Sequence, residues 1–349
     1  MDDRIESLAE QATEMGELRR RLHDEQGKVG RLAEEVTSLR AALAITEAVE
    51  TATPRPPKWL APRSSRKHTA TACLLLTDTH LDEVVSVEQT GGLNRYDREV
   101  AMGRLERAFT GAVRVSKDIL SGMRYDGAVL LLGGDIISGE IHQEYLESNE
   151  GTTVETLLHW LEPLAAGINL LAEEFGKLHV VGVVGNHGRR TIKPRYKNRV
   201  VDNYDWLLYR SLEHHLASDE RITWQFPQSL GCDLSVYDVA IRLEHGDEAR
   251  GGSGIAAAMS PLLLLQHRRQ KQYGSADRDL DLLVMGHWHR RHVLPGLLVG
   301  GTLKGVDEHT LGKGYDYAPP SQEFFVVSPE RGIILNAPIW VQDRSAEGW

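Results

Sequence analysis

Five short segments of the sequence bring together carboxylate, amide and imidazole side chains that could bind metal ions. They are Asp78-Thr79-His80, Gly133-Gly134-Asp135, Gly185-Asn186-His187, His245-Gly246-Asp247 and Gly286-His287-Trp288-His289. Oxygen and imidazole donors in such mixtures suit divalent ions such as manganese, zinc and iron. The combined inventory suits two adjacent ions that share one bridging carboxylate, an arrangement that activates water and polarises phosphoryl groups.

The spacing within these segments also suggests how the side chains are aimed. Asp78 and His80 lie two residues apart, so on an extended backbone both side chains would point to the same face and could bind one ion. Glycines accompany most of the segments and allow the backbone to approach closely.

Each segment follows a short apolar run of the kind that forms a buried strand. The runs are residues 74–76, 128–132, 179–184, 239–243 and 282–285. Buried parallel strands have such continuous apolar sequences, and ligands bind at their carboxyl ends. One apolar run before a histidine commonly reflects packing alone, but five in one chain indicate a site.

The ordered series DxH, GGD, GNH, HG and GHxH resembles the calcineurin-like metallophosphoesterase family over about residues 70–300. The resemblance implies that Asp78, His80 and His289 bind a first metal ion. It assigns Asn186, His245 and His287 to a second ion, with Asp135 bridging the two. His187 would meet the scissile phosphate and the leaving group without being a ligand. The chain is similar, more loosely, to the nuclease and DNA-repair-exonuclease branch found in phages and bacteria.

Two positions depart from the family pattern. Ser138 stands where the second motif often has an acid, and Gly188 stands where the third motif often has one. Either acid could have oriented or charged His187. The sequence therefore leaves open whether His187 donates a proton or only a hydrogen bond.

The function we predict is hydrolysis of phosphodiester bonds by a dimetal phosphoesterase. We hypothesise in-line attack by a hydroxide that bridges the ions, with His187 assisting. For the two divalent ions we name manganese first, with zinc, iron and magnesium as alternatives. A phosphomonoesterase, or a phosphodiesterase of small or cyclic nucleotides, is the alternative activity. A non-catalytic metal-binding scaffold, recruited through the amino-terminal segment, is a third hypothesis from a different class.

The substrate class depends on basic residues beside the metal motifs. Residues 189–199 contain Arg189, Arg190, Arg195 and Lys197, and Arg290 follows the last motif. In a chain of formal charge −10 such a run predicts a local patch for several phosphates, hence DNA or RNA. Tyr196, Trp206 and Trp288 could stack bases. A solvated loop and ordinary core packing are the alternative interpretations.

The remaining composition is that of a globular protein of a reducing compartment. Two cysteines provide no disulfide framework, and 41% of the residues are hydrophobic. The charged amino terminus predicts no secretory signal, and no run approaches the roughly 18 apolar residues of a membrane span. We therefore expect a cytoplasmic protein that does not bind membranes.

We predict three segments along the chain. Residues 1–50 carry apolar side chains at heptad positions, including Met15, Leu18, Leu22, Leu32 and Val36, and predict a coiled coil that makes a homo-oligomer. A single amphipathic helix packed on the rest of the chain is the alternative. Residues 51–69 form a proline-rich linker, and residues 70–349 form the catalytic domain.

The fold class we predict is α/β, with a two-sheet β-sandwich flanked by helices. Helical patterns occur at residues 95–120, 153–175, 203–216 and 255–273, between strand-like runs. Residues 222–226 and 235–243 are predicted to be strands. The polar start and the apolar stripe of the 203–216 helix are both assigned to core packing.

Overall fold

The computed structural model describes residues 15–37, 69–141, 143–249 and 259–349 of the chain. It divides the chain into two units, residues 1–55 and residues 56–349. In the first unit, residues 15–37 form helix α1. The second unit contains two β-sheets and the helices that cover them.

Helix α1 carries its apolar side chains in solvent. They are Met15, Leu18, Leu22, Val29, Leu32 and Val36, each exposed by 45% or more. The predicted amino-terminal helix is therefore present, and its apolar side chains occupy the predicted heptad positions. Association into a coiled coil stays a prediction, and the remainder of residues 1–50 lies outside the described residues. Of the predicted linker, only Thr69 is described, and it belongs to a strand rather than to the linker.

The first sheet has six strands. Their bounds are β1 Thr69–Leu76, β2 Arg124–Leu132, β3 Leu178–Gly182, β4 Ile222–Gln225, β10 Ser321–Ser328 and β11 Gly332–Trp340. They are arranged in the order β11-β10-β1-β2-β3-β4. Strands β1 to β4 are parallel, and β10 and β11 extend the sheet in antiparallel fashion. Every residue of β1 is buried, as expected for a parallel strand covered on both faces.

The second sheet has five strands. Their bounds are β5 Gly231–Val236, β6 Val239–Glu244, β7 Leu282–Met285, β8 His292–Leu294 and β9 Leu297–Val299, in the order β5-β6-β7-β9-β8. Strands β6, β7 and β9 are parallel, with antiparallel edges. The prediction of one strand over residues 235–243 was wrong. Tyr237 adopts a left-handed backbone with φ 54°, which reverses the chain and makes a hairpin of β5 and β6.

The bounds of the helices in the second unit are α2 Arg98–Arg114, α3 Gln143–Ser148, α4 Thr153–Phe175, α5 Tyr204–His215, α6 Ser260–Gly274, α7 Glu308–Gly312 and α8 Arg344–Glu347, with a π-helical turn at Val115–Ile119. The four longest helices, α2, α4, α5 and α6, lie in the predicted helical segments, whereas the short helices α3, α7 and α8 were not predicted. Helix α4 begins with a capping box between Thr152 and Glu155 and ends at Gly176, whose φ is 72°. None of the helices in the described part of the chain combines the length and apolar composition that crossing a bilayer requires.

The side chains of β1 alternate between two separate apolar layers. Leu74 packs with α2 and α4 on the outer face of the first sheet, whereas Leu75 packs against Leu234 and Val284 of the second sheet. Helix α6 covers the opposite face of the second sheet through Leu265. The predicted fold, a two-sheet sandwich flanked by helices, is confirmed.

Candidate metal centre

The five predicted motifs lie in the loops that follow β1, β2, β3, β6 and β7. Each apolar strand ends close to the start of its motif. Because the strands are parallel, the loops that carry the motifs lie at one edge of the sandwich. The loops after β1 and β2 run side by side, because the backbone N–H groups of Asp78 and His80 donate to the carbonyl oxygens of Gly134 and Asp135, both at 3.1 Å. Residues from distant parts of the chain therefore converge.

The first predicted ligand set is close together. The Nε2 atoms of His80 and His289 are 2.9 Å apart, and the Nε2 atom of His289 is 3.5 Å from Oδ1 of Asp78. One possible ligand atom from each of the three residues lies within 4.8 Å of the others. Asp78 and His80 are fully buried.

The second predicted set lies around His245. Its Nε2 atom is 3.0 Å from Oδ2 of Asp135 and 3.2 Å from Oδ1 of Asn186. Asp135, His245 and His287 offer ligand atoms that all lie within 4.8 Å of one another. All seven predicted ligands therefore belong to one cluster.

Asp135 occupies the position between the two sets. Its Oδ1 atom accepts a hydrogen bond from the backbone N–H of His187 at 2.6 Å. Its Oδ2 atom is buried, and Nε2 of His245 lies 3.0 Å from it. A buried carboxylate is costly unless a positive charge, from a protonated histidine or a bound cation, lies beside it.

The electrostatics of the cluster also favour a cation. Burial alone would lower the pKa of His245, but the adjacent carboxylate of Asp135 raises it to about 10. Two imidazole nitrogens held 2.9 Å apart, beside buried carboxylates, form a donor set that divalent transition metals bind. The residues present therefore fit a pair of divalent ions.

The backbone conformation that directs the side chains of Asp78 and His80 differs from the prediction. Neither residue lies on an extended backbone, since their φ values are 50° and 46°. Asp135, His287 and His289 are left-handed as well, with φ values of 50°, 70° and 52°. Such backbone is costly for residues other than glycine and concentrates at functional sites. Sharp turns beyond the strand ends, rather than strand alternation, direct these side chains.

Hydrogen bonds orient the predicted ligands from outside the cluster. The backbone N–H of His287 and the Thr77 hydroxyl both donate to Oδ2 of Asp78, at 2.8 Å. The Nδ1 atom of His245 donates to the carbonyl oxygen of Gly133 at 2.9 Å, which leaves Nε2 directed at Asp135. Outer hydrogen bonds of this kind fix the tautomer and orientation of metal-binding histidines.

His187 lies against the same cluster. Its ring meets the His80 ring edge-on, with 4.5 Å between centroids, and lies 5.2 Å from the ring of Tyr145. Its Nε2 atom is 4.0 Å from Oδ2 of Asp135. Burial lowers the pKa of His187 to about 4, although the charge of Asp135 opposes this shift. His80, Asp135 and His187 form a third group with metal-binding spacing, so the distances alone would also allow His187 as a ligand.

Asp205, at the start of α5, was missed as a site residue. Its Oδ2 atom accepts hydrogen bonds from the backbone N–H groups of Asp135 and Gly185, both at 2.9 Å. Its Oδ1 atom accepts one from Ile136 at 3.2 Å. Burial and the charge of Asp135 raise the pKa of Asp205 to about 7. The Asp205 carboxylate therefore connects the loops after β2 and β3. The polar start of the predicted helix was the only feature of the sequence that could have indicated this role.

Asn203 explains why residue 188 is a glycine. The Nδ2 atom of Asn203 donates to the carbonyl oxygen of Gly185, and its Oδ1 atom caps α5 by accepting from the N–H of Asp205. A Cβ atom at residue 188 would overlap Oδ1 of Asn203. Any side chain at this position, including the acid of the family pattern, would therefore collide with the cap of α5.

The buried side chain of Lys304 is connected to His80 through Glu83. The Nζ atom of Lys304 donates to Glu83 at 2.8 Å and to Asp307 at 2.6 Å. Burial opposes the charge of Lys304, but these two carboxylates raise its pKa well above the usual value. Glu83 in turn lies 3.5 Å from Nδ1 of His80. Neither Glu83 nor Lys304 stands in a recognisable motif, so the sequence did not reveal them.

The predicted basic residues fall into two groups. Arg190 pairs with Asp202 and Arg290 pairs with Asp316, both at 2.9 Å on the surface. Arg189, Arg195 and Lys197 instead line a cavity of about 100 Å³ that also reaches Asn186. Of the three aromatic residues proposed for base stacking, Tyr196 is 80% exposed, whereas Trp288 packs against the apolar layer under α6. Trp206 contacts the Arg210 guanidinium.

No model of a known protein family matches the chain. No curated protein sequence matches it either. Among solved structures, a dimetal phosphatase from Danio rerio is similar at a TM-score of 0.36 and 11% identity, over 78% of this chain and 99% of that chain. Vacuolar protein sorting 29 from Cryptosporidium parvum is similar at a TM-score of 0.31 and 16% identity, over 74% and 86% of the two chains.

Proposed function

We propose that this chain is a dimetal phosphoesterase that hydrolyses phosphodiester bonds, with nucleic acid as its substrate. The observation that carries the proposal is the convergence of six ligand-type side chains around the buried carboxylate of Asp135, the seventh ligand. In this proposal, Asp78, His80 and His289 hold one ion and Asn186, His245 and His287 hold the other. Asp135 contacts both.

Two divalent ions at this site would polarise the phosphoryl group, offset its developing negative charge and promote deprotonation of water. The protein's part is to hold the ligands rigidly. The hydroxyl of Thr77 donates to one loop that carries them, and the Gly133 carbonyl and the Asp205 carboxylate accept from two others. These outer hydrogen bonds fix the three loops. Preorganised ligands need little rearrangement when the substrate arrives.

His187 would act on the substrate through Nε2. Its Nδ1 atom must donate to the carbonyl oxygen of Ser138, since a carbonyl can only accept. Neutral His187 therefore presents an acceptor at Nε2, and only the protonated form can donate there. Negative charge on Asp135 and on a bound phosphate favours protonation. A protonated Nε2 would donate to a phosphoryl oxygen or to the leaving oxygen.

The basic cavity is the support for a nucleic-acid substrate. Arg189, Arg195 and Lys197 line it, and it adjoins Asn186, a proposed metal ligand. An exposed Tyr196 lies between the two latter cations in sequence, where it could stack against a base. Because the chain as a whole is acidic, this local excess of positive charge supports binding of several phosphates.

A small nucleotide is the second candidate substrate. The cavity is compact, with a volume of about 100 Å³, and would also suit the phosphate group of a phosphomonoester or of a small nucleotide whose base lies outside it.

The test compares small substrates and DNA with purified protein and Mn²⁺. Bis-p-nitrophenyl phosphate should be hydrolysed in preference to p-nitrophenyl phosphate, and end-labelled single- or double-stranded DNA should be shortened. Asp135→Asn should remove hydrolysis and reduce bound metal together, whereas Asp279→Asn changes an exposed carboxylate and should do neither. Full activity of Asp135→Asn with both metals retained would overturn the assignment. Turnover of monoesters without cleavage of DNA would favour the small nucleotide.

We also propose that the chain forms a homo-oligomer through residues 1–50. The support is the apolar stripe of α1, whose side chains are exposed in the single chain. Apolar side chains at a and d positions are buried when helices associate as a coiled coil. Two catalytic sites in one oligomer could bind one long substrate at raised effective concentration.

A further inference from the structure

The cavity next to Asn186 is formed by two loops that meet at a salt bridge. Its walls come from residues 189–202 and from Asp247, which follows the proposed ligand His245. Arg199 pairs with Asp247 at 2.6 Å and thereby joins the basic loop to the loop after β6. Both partners are nearly buried, so the cavity has one fixed wall.

The charges in the lining do not cancel. The two lining carboxylates are each bound by an arginine, Asp202 by Arg190 and Asp247 by Arg199. Within the described part of the chain, Arg189 donates only to the carbonyl oxygens of Asn186, Thr191 and Ile192. Arg195 and Lys197 have no salt bridge to any carboxylate among the described residues. Three positive charges therefore remain for an anion.

The size of the cavity limits what the anion can be. Its volume of about 100 Å³ is smaller than the roughly 150 Å³ cavity that holds a benzene molecule. A phosphate group fits such a space, and a nucleobase does not. Arginine and lysine are the side chains that recognise phosphate through charge-assisted hydrogen bonds.

We propose that this cavity binds a second phosphate group of the substrate, the phosphodiester next to the scissile one in a polynucleotide. The inference rests on the proposed phosphoesterase function. Asn186 belongs both to the proposed metal centre and to the cavity lining, so the two phosphates would lie side by side along one strand. Arg195 and Lys197 contact the second phosphate, while Arg189 holds the loop in shape through its three carbonyl contacts. The nucleobases stay outside, near the exposed ring of Tyr196.

The test uses three dinucleotides with the same internal diester. They are dithymidine monophosphate, which has a single phosphate, and the same molecule with an added 5′-phosphate or 3′-phosphate. Cleavage of the internal diester is followed by chromatography, with Mn²⁺ present. Wild-type protein should cleave one of the two phosphorylated forms with a kcat/KM at least about tenfold above that of dithymidine monophosphate. Charge-assisted hydrogen bonds to the added phosphate provide enough binding free energy for a difference of this size.

The double variant Arg195→Gln/Lys197→Gln should bring this ratio close to one, chiefly through KM. The matched control is Lys193→Gln, because Lys193 is an exposed cation of the same loop that does not line the cavity, and it should keep the wild-type ratio. Equal kcat/KM for all three dinucleotides in the wild type would overturn the second-phosphate site and leave the phosphoesterase proposal intact. Equal loss of the ratio in Lys193→Gln would assign the effect to general attraction and would also overturn it. No hydrolysis of any dinucleotide or of bis-p-nitrophenyl phosphate would instead overturn the proposed function.

Discussion

The Nδ1 atom of His187 donates a hydrogen bond to the main-chain carbonyl oxygen of Ser138 at 2.9 Å. The family pattern often has an acid at position 138, and the serine had left open what orients His187. A backbone carbonyl supplies the acceptor that a carboxylate would supply, and it does so without adding negative charge. The tautomer of His187 is thus fixed by the path of the chain after β2.

Replacement of His187 should separate catalysis from metal binding. We expect His187→Ala to lower kcat for bis-p-nitrophenyl phosphate by about 10²- to 10⁴-fold, the usual contribution of a proton donor. Bound metal, measured by atomic emission, should stay at the wild-type level because Ala leaves the seven proposed ligands in place. Loss of metal in parallel with activity would show that His187 is a ligand.

Ser138→Ala should retain most of the activity. The side-chain hydroxyl of Ser138 is buried and has no hydrogen-bond partner among the described residues, whereas the main-chain carbonyl is retained by any residue. We therefore expect kcat and KM within about twofold of wild type, and a melting temperature that is unchanged or raised, since a buried unpaired hydroxyl is unfavourable. A large fall in kcat with normal folding would mean that the hydroxyl, not the carbonyl, serves His187.

Asp205→Asn should weaken the metal centre without changing any proposed ligand. The amide group would place N–H donors against the N–H groups of Asp135, Ile136 or Gly185, which now share this carboxylate. We expect a loss of stability of about 1–3 kcal/mol and a metal affinity lower by about 10- to 100-fold. Urea unfolding and metal titration measure the two effects. Asp219→Asn, at a carboxylate bound to Arg221 away from the site, is the control, and equal behaviour of both variants would contradict the role of Asp205.

Gly188→Ala should destabilise the protein although it adds a single methyl group. The new Cβ atom would overlap Oδ1 of Asn203, which caps α5. Loss of such a cap costs about 0.5–2 kcal/mol, so thermal unfolding should occur at lower temperature. Gly274→Ala is the matched control, because a Cβ atom at Gly274, the last residue of α6, meets nothing within 4 Å. A Gly188→Ala variant as stable as Gly274→Ala would show that Asn203 can move aside.

The exposed apolar stripe of α1 predicts that several chains associate in solution. Full-length protein should be an oligomer by light scattering, and Leu18→Lys/Leu32→Lys should reduce it to one chain because charges at d positions oppose coiled-coil packing. His23→Lys/Glu34→Lys, at heptad positions outside the a and d stripe, should keep the wild-type mass. A form that begins near residue 65 should also be a single chain. The same number of chains per particle in all four proteins would refute association through residues 1–50.

Local sequence determined the four long helices of the second unit, most of the strands and the set of candidate ligands. Each motif directly follows its own apolar strand, so a pattern of a few residues identified both the strand and the loop. The sequence pattern did not predict the hairpin of β5 and β6, because the run of apolar residues continues across the turn at Val236, Tyr237 and Val239. Its reversal depends on the left-handed backbone of Tyr237, which composition does not reveal.

The tertiary structure alone decided how the candidate site is held and which of its charges are neutralised. Asp205 lies 70 residues from Asp135, and Lys304 lies 221 residues from Glu83, yet each pair is in hydrogen-bond contact. The six cations of residues 189–199 look alike in sequence, but Asp202 neutralises Arg190 and Asp247, from the loop after β6, neutralises Arg199. Arg195 and Lys197 are left for a ligand. Short-range periodicity encodes secondary structure, because it depends on neighbouring residues. Charge pairing and loop support depend on contacts between segments that only the packing of the two sheets brings together.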